Sequence, residues 1–166
     1  IGITMGDPAG IGPEITAKML ADPAVYERCR PLVVGDASVM EEALALTGLS
    51  GTLRIHRIRE AREALFRWGF IDVYDMELVD IRELKRGQVS VMAGNAAFQY
   101  VKKVIELAMA REIDATVTNP LNKEAMNLAG HHFNGHTEIY AHYTGTKTYS
   151  MMLAHENLRV VHVSTH

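Results

Sequence analysis

The sequence predicts an α/β fold in which helices cover a mixed, largely parallel sheet. Strand-like apolar runs alternate with helix-like patterns through the 166 residues, and this alternation is typical of helix-covered parallel sheets. A glycine-rich turn at residues 6–12 joins the first strand to the first helix. Two strand-like segments flank His155-Glu156-Asn157, and this hairpin adds an antiparallel pair that makes the predicted sheet mixed.

The elements follow in order from their local signals. Strands are predicted at 1–5, 32–34, 53–58, 71–74, 115–118, 149–154 and 159–165, and helices from about residue 13 and at 37–46, 91–111, 121–129 and 137–143. Apolar residues three or four apart indicate the longest helix. Pro13 suits the start of the first helix. Asn119 is the predicted N-cap of helix 121–129, with Pro120 at its start and Gly130 at its end.

Composition excludes several classes of function. Hydrophobic residues make up 48% of the chain, which is enough to form a core. The 17 basic and 20 acidic residues form no basic stripe, so we expect no nucleic-acid partner. Cys29 is the single cysteine and cannot form a disulfide within the chain. A single cysteine indicates a reducing, cytoplasmic setting. Apolar runs fall short of the roughly 20 residues of a membrane span.

Both ends of the sequence lie in strand-like segments. The chain opens with Ile1-Gly2-Ile3 and closes with Val163-Ser164-Thr165-His166. Natural domains usually carry a few mobile residues at their termini. We therefore expect this chain to be part of a longer, truncated subunit.

The glycine-rich turn is the first candidate ligand site. Gly10 and Gly12 allow a close backbone approach or positive φ, and Pro13-Glu14 opens the helix that follows. Open α/β sheets bind ligands at such strand ends. The turn has neither the Walker A pattern nor the Gly-x-Gly-x-x-Gly fingerprint. From the residues alone, a ligand-binding turn and a purely structural turn are both open.

Two further motifs lie around residues 118–137. Thr118-Asn119-Pro120-Leu121-Asn122-Lys123 ends a strand, and Lys123 at a helix start could bind a phosphate or carboxylate; the alternative is a capped helix with a solvated lysine. His132 and His136 are four residues apart, but Asn134-Gly135 between them favours a turn over a shared metal site. Thr137 suits an N-cap as well as a ligand contact.

The terminal histidines do not form a metal pair by themselves. His162 and His166 are four residues apart on a predicted strand, which separates them by roughly 13 Å. A catalytic metal normally has three protein ligands and one open position. From the residues alone, His162 is expected to be a packed or surface histidine.

These motifs together resemble one family. The turn is similar to the Gly-Asp-Gly-Ile-Gly-Pro-Glu loop of isopropylmalate and isocitrate dehydrogenases, and its Asp7-Pro8-Ala9 form resembles the PdxA family of 4-hydroxythreonine-4-phosphate dehydrogenases. That family also carries a Thr-x-Pro-x-x-Lys stretch, as at 118–123, a Gly-His-Thr-Glu segment, as at 135–138, and a Ser-Thr-His segment, as at 164–166.

The resemblance implies an architecture. It implies the isopropylmalate dehydrogenase-like three-layer fold, of which this chain would be the N-terminal part. Residues 1–120 would form the first α/β lobe and residues 121–166 the start of the second. It also implies a homodimer whose active site lies at the subunit interface.

The resemblance also implies a reaction and its groups. His136 and Thr137 would bind substrate, and His166 would bind a divalent metal (zinc, cobalt or magnesium) together with two histidines from later in the family's chains. NAD or NADP would oxidise 4-hydroxythreonine 4-phosphate to a 3-oxo acid that decarboxylates, in pyridoxal phosphate biosynthesis. No catalytic base is assigned, and the 166 residues alone are expected to be inactive.

Three alternatives stay open at this point. PdxA-like paralogues oxidise 4-phospho-D-threonate or 4-phospho-D-erythronate in sugar-acid catabolism. Phosphate and acyl transferases of related architecture also lack the dinucleotide fingerprint. A non-catalytic domain that binds a phosphorylated acid is the third alternative.

Overall fold

A five-stranded parallel sheet forms the centre of the molecule. The computed structural model describes residues 1–163. The strands run β1 (Gly2–Thr4), β2 (Leu32–Gly35), β3 (Arg54–Ile58), β4 (Phe70–Asp75) and β5 (Thr116–Thr118), in the order β3-β4-β2-β1-β5. Every pairing within this sheet is parallel. The predicted α/β class and the strands expected at these positions are confirmed.

Six helices in the described residues connect and cover the strands. They are α1 (Gly12–Leu20), α2 (Pro23–Arg28), α3 (Ala37–Leu46), α4 (Val91–Met109), α5 (Lys123–Leu128) and α6 (His136–Thr144). A short 3-10 turn at Ala61–Glu63 joins β3 to β4. None of the helices in residues 1–163 combines the length and the apolar character that a bilayer crossing needs.

The direction of the crossovers places the helices in three layers. The connections through α1 and α3 run along the sheet from β1 towards β3, whereas the connection through α4 runs the opposite way, from β4 to β5. Parallel crossovers are almost always right-handed, so α4 lies on the other face of the sheet from α1 and α3. This is the three-layer arrangement expected for the fold.

The core has two parts. The central strands are fully covered, with Leu32, Val33 and Val34 at most 1% exposed, as parallel sheets between helices require. A second cluster fills the space between α4, α5 and α6, and consists of Phe98, Val101, Ile105, Met126 and Ile139. This second cluster packs α5 and α6 against a different side of α4 from the one that contacts the central sheet.

The C-terminal hairpin forms a sheet of its own. Strands β6 (Met152–His155) and β7 (Leu158–Val161) pair antiparallel, as predicted. In the described residues they do not join the five-stranded sheet. The parallel and antiparallel pairings that were expected in one mixed sheet therefore lie in two separate sheets. All residues of both strands are exposed, and the apolar side chains among them, such as Leu153, Leu158 and Val160, are not buried against the described residues.

The start of α5 differs from the prediction. Asn122, not Asn119, caps the helix, and its Oδ1 accepts from the backbone N–H of Ala125 at 2.9 Å. Pro120 therefore lies before the helix. Asn119 was a reasonable candidate because it satisfies the residue preference of an N-cap, but its side chain is engaged in the core.

Candidate active site

Two loops meet at the carboxyl end of the central strands. The turn after β1 and the segment after β5 are in contact, and the backbone N–H of Asp7 donates to the carbonyl of Pro120 at 2.9 Å. Chain connections run in opposite directions from β1 and towards β5, which makes this a topological switch point, where open α/β sheets bind ligands. The structure thus brings the first two sequence motifs together.

Asn119 joins these two loops to α1. Its Nδ2 donates to the Thr4 carbonyl at 2.9 Å and to Thr16 Oγ1 at 2.7 Å, and its backbone N–H donates to Thr4 Oγ1 at 3.1 Å. All three residues are buried, so these bonds satisfy groups that would otherwise be costly to remove from water. Asn119 is a structural link beneath the site.

The glycines of the turn serve close packing of the chain. A Cβ on Gly12 would lie 2.2 Å from the Met5 carbonyl oxygen, and one on Gly6, whose φ is +78°, would lie 2.6 Å from the Pro120 oxygen. Gly10 is less crowded, with its first contact at 3.4 Å. Within the described residues, Gly6 and Gly12 are therefore required by internal contacts, which favours the structural interpretation of the turn.

Asp7 is a buried carboxylate within this turn. Its Oδ1 accepts from the backbone N–H of Ala9 at 2.8 Å. Burial raises the pKa of Asp7, and the hydrogen bond from Ala9 partly opposes that effect. A second segment covers the turn, since the Gly87 N–H donates to the Ala9 carbonyl at 2.7 Å. The turn is consequently held on both sides.

Helix α6 carries the two predicted substrate-binding residues. It begins at His136, directly after Gly135, and Thr137 lies in its first turn. Burial lowers the pKa of His136, while a backbone hydrogen bond with Asn119 acts in the opposite direction. Its Nε2 is buried and has no hydrogen-bond partner among the described residues. His136 therefore has a buried imidazole nitrogen whose hydrogen-bonding capacity is unused among the described residues.

A cavity of about 370 Å³ lies between α6 and β5. It is lined by five threonines, two tyrosines, one histidine and one alanine: Thr116, Thr118, Thr137, Thr144, Thr146, Tyr140, Tyr149, His136 and Ala141. His136 and Thr137, predicted from the Gly-His-Thr-Glu segment, thus share one cavity. Tyr140, which the sequence analysis missed, follows His136 by four residues and so lies on the same face of α6.

A second cavity of about 480 Å³ adjoins the first and shares Thr137 and Tyr149 with it. Its lining includes charged side chains, Glu138 and Lys147, as well as His162. The two cavities therefore differ in chemistry. The first offers hydroxyls and an imidazole, and the second offers formal charges of both signs.

A larger cavity, of about 890 Å³, lies elsewhere, beside α4 and the 3-10 turn. Its cations already have partners. Arg59 pairs with Glu77 at 2.6 Å, Lys103 pairs with Glu106 at 2.7 Å, and Arg62 pairs with Glu60. Exposed pairs of this kind are common on protein surfaces, and they leave no unpaired Lys or Arg in the described lining of this cavity.

The two histidines before the Gly-His-Thr-Glu segment, His131 and His132, have structural or exposed positions. His131 stacks on Phe98 at 3.7 Å between ring centroids, and its Nε2 lies 2.9 Å from Asn95 Oδ1. His132 is exposed. Within residues 1–163, no group of three or more His, Cys, Asp or Glu side chains could hold a metal ion. The predicted metal ligand His166 lies outside the described residues.

Lys123 is exposed at the first residue of α5 and forms no ion pair in residues 1–163.

Asp36, by contrast, follows β2, where dinucleotide-binding folds place an acidic residue on the ribose. Its carboxylate accepts instead from the Tyr100 hydroxyl at 2.5 Å and from the Val79 N–H at 3.0 Å. Burial raises the pKa of Asp36. Its hydrogen bonds commit it to the core rather than to a cofactor.

Comparison with known proteins gives a consistent family. The model of the family "Pyridoxal phosphate biosynthetic protein PdxA" matches residues 27–166. The D-threonate 4-phosphate dehydrogenase of Cupriavidus necator is 48% identical over the whole chain, which covers 49% of that protein. The chain spans about half the length of the curated relatives it matches.

Solved structures agree with this result. A 4-hydroxythreonine-4-phosphate dehydrogenase from Burkholderia phymatum superposes with a TM-score of 0.91 at 50% identity, over 98% of this chain and 48% of that one. The corresponding enzyme from Klebsiella pneumoniae gives 0.90 at 41% identity, over 99% of this chain and 50% of that one. The sequence match, the common fold and the shared motifs lead to one conclusion: the chain belongs to the PdxA family.

Proposed function

We propose that the chain forms the N-terminal part of a dehydrogenase that oxidises a phosphorylated hydroxy acid with NAD or NADP. The observation that carries the proposal is the cavity in which His136 and Thr137 of α6 meet β5 beside the switch point. Relatives named as dehydrogenases of two such acids support it. Family membership favours this reaction over phosphate or acyl transfer and over simple ligand binding.

In this proposal, His136 and Thr137 hold the substrate by neutral hydrogen bonds. The lowered pKa of His136 favours the uncharged imidazole near neutral pH, which has one donor and one acceptor nitrogen. Nε2 has no partner in the described chain, and Thr137 adds a hydroxyl. These groups orient the substrate. No residue of the chain is assigned as the catalytic base.

The substrate that we favour is D-threonate 4-phosphate, with its erythronate isomer. The relative from Cupriavidus necator carries that name, and the first cavity is lined by hydroxyls rather than charges. The second candidate is 4-hydroxythreonine 4-phosphate, the sequence-based prediction, which the names of the two solved relatives support. With either acid, oxidation gives a 3-oxo acid, which is set up to lose carbon dioxide.

The metal is a separate proposal. We propose that His166 supplies one ligand to a divalent ion. Residues 1–163 contain no ligand cluster that could complete such a site, so we derive no catalytic step through the metal. The nicotinamide cofactor, a homodimeric subunit with its active site at the interface, a lobe boundary near residue 120 and a cytoplasmic location are likewise proposals that follow from the family resemblance.

The test uses the natural-length protein with NAD or NADP and a divalent metal. Formation of reduced nicotinamide is followed with D-threonate 4-phosphate and with 4-hydroxythreonine 4-phosphate. We expect turnover of the first acid, and we expect His136→Ala to lower kcat/KM by about 10-fold or more, since it removes a substrate hydrogen bond. His132→Ala, an exposed neighbour, is the control. Absence of turnover with both acids would contradict the proposal.

A further inference from the structure

A pair of hydrogen-bonded hydroxyls forms one wall of the cavity beside His136. The Tyr140 hydroxyl donates to Thr116 Oγ1 at 2.7 Å, and both residues line the cavity. Because Tyr140 donates its proton, Thr116 keeps its own hydroxyl proton and a lone pair. The wall can therefore form further hydrogen bonds with a ligand.

The position of this wall is well fixed. Thr116 and Thr118 lie two residues apart on β5, so their side chains face the same side of the strand. The Tyr140 ring packs against both parts of the core. Both hydroxyls are thus held by a strand and by a packed helix.

The same wall carries no formal charge. The lining of the cavity within the described chain contains no Asp, Glu, Lys or Arg side chain. His136, its one ionisable imidazole, has a pKa that burial lowers. Charged side chains, Glu138 and Lys147, line the adjoining cavity instead.

This distribution of charge selects which part of a ligand the cavity can accept. A phosphate, a carboxylate or an ammonium group is costly to remove from water without an opposite charge. A hydroxyl needs only hydrogen-bond partners, and Thr116 and Tyr140 provide them. The cavity therefore suits an uncharged, hydroxylated carbon of the substrate.

We propose that Thr116 and Tyr140 are specificity-determining residues, which bind a hydroxyl group of a phosphorylated dihydroxy acid and disfavour its amino analogue. The inference rests on the proposed function, because it places the substrate beside His136 and Thr137. It concerns the one group by which the two candidate acids differ, a hydroxyl in D-threonate 4-phosphate and an amine in 4-hydroxythreonine 4-phosphate.

The experiment measures both acids on the natural-length protein, by calorimetric binding and by kcat/KM with NAD. Tyr140→Phe removes the hydroxyl and keeps the packed ring, and Thr116→Val keeps the shape of the side chain. We expect the unmodified protein to prefer the hydroxy acid. Each variant should lose about 3- to 10-fold of that preference, as for one net hydrogen bond. Tyr143→Phe, on the same helix but outside the cavity lining, should retain the original ratio.

The two readouts separate failure of the inference from failure of the proposed function. A preference for the amino acid, or an equal loss of affinity for both acids in Tyr140→Phe, overturns the inference, since a purely structural hydroxyl would affect both alike. An unchanged ratio with weakened NAD binding also overturns it and assigns the cavity to the dinucleotide. Preferential binding of the hydroxy acid without NAD reduction contradicts the proposed function and supports the inference.

Discussion

At the scale of single residues, His136 couples the candidate site to the stability of the fold. Burial lowers its pKa below the value of 6.5 that an exposed imidazole has. As the pH falls below that value, the unfolded chain takes up a proton before the folded chain does. The contribution of His136 to stability is therefore complete above the unfolded pKa and is lost as the pH falls through the folded pKa.

The direction of this pKa shift gives a prediction for the His136→Gln variant. The variant lacks the titrating group, so its free energy of unfolding should fall less steeply between about pH 7 and pH 5. Chemical denaturation at a series of pH values measures the slope. His155→Gln removes an exposed imidazole from β6 and is the matched control, whose slope should stay close to the original. The buried carboxylates Asp7 and Asp36 are common to all three proteins and cancel in the comparison. Identical slopes in all three proteins would contradict the prediction.

Residue types indicated the candidate site residues, whose role stays a prediction, but they did not indicate the hydrogen bonds beneath the site. The Gly-His-Thr-Glu segment indicated His136 and Thr137 because four consecutive residues matched a family pattern. Tyr140 was missed because its hydrogen-bond partner, Thr116, is 24 residues away in the sequence. Asn119 was assigned to a helix cap because caps depend on residue type, whereas its partners Thr4 and Thr16 become neighbours only when β1 and β5 pair.

At the scale of elements, the contact between α4 and α5 depends on Gly94. Glycine in a helix interior usually destabilises it by about 0.5–1 kcal/mol relative to alanine. Here, however, a Cβ on Gly94 would lie 2.2 Å from both the carbonyl carbon and the oxygen of Ala125. These are backbone atoms, so the two helices would have to separate to accept a methyl group.

We therefore expect Gly94→Ala to destabilise the protein by about 1–3 kcal/mol, the usual cost of overpacking, despite the better helix propensity of alanine. Urea denaturation measures the change. Gly51→Ala is a suitable control because a Cβ at Gly51 meets no atom within 4 Å, and its effect should stay within about 0.5 kcal/mol. A Gly94→Ala protein as stable as the original would show that α5 can move away from α4 at little cost.

Elements with a strong internal period were predictable from the sequence. Helix α4 begins at Val91, as its apolar spacing predicted, and ends two residues before the expected boundary. The hairpin strands and their antiparallel pairing were also predicted. Their separation from the central sheet was not, because alternation within a strand does not specify which neighbour the strand pairs with. That choice depends on tertiary contacts beyond the segment itself.

At the scale of the whole molecule, residues 1–163 form a packed parallel sheet that helices cover. The sheet and both core clusters are formed, and His136 and Thr137 share a cavity. A catalytic metal site normally uses three protein ligands. Residues 1–163 contain no such group, and His166 alone could supply only one ligand.

We therefore expect the isolated 166-residue chain to fold and yet to form no reduced nicotinamide with either acid, whereas the natural-length protein does. Its metal affinity should be low, because one imidazole cannot replace a three-ligand site. Circular dichroism establishes folding, metal analysis after gel filtration measures retained ion, and an NAD assay measures turnover. The natural-length protein carrying His166→Ala is the matched comparison, since it should lose both metal and activity while remaining folded. A stoichiometric metal in the isolated chain would contradict the prediction and would require a ligand set formed within these 166 residues.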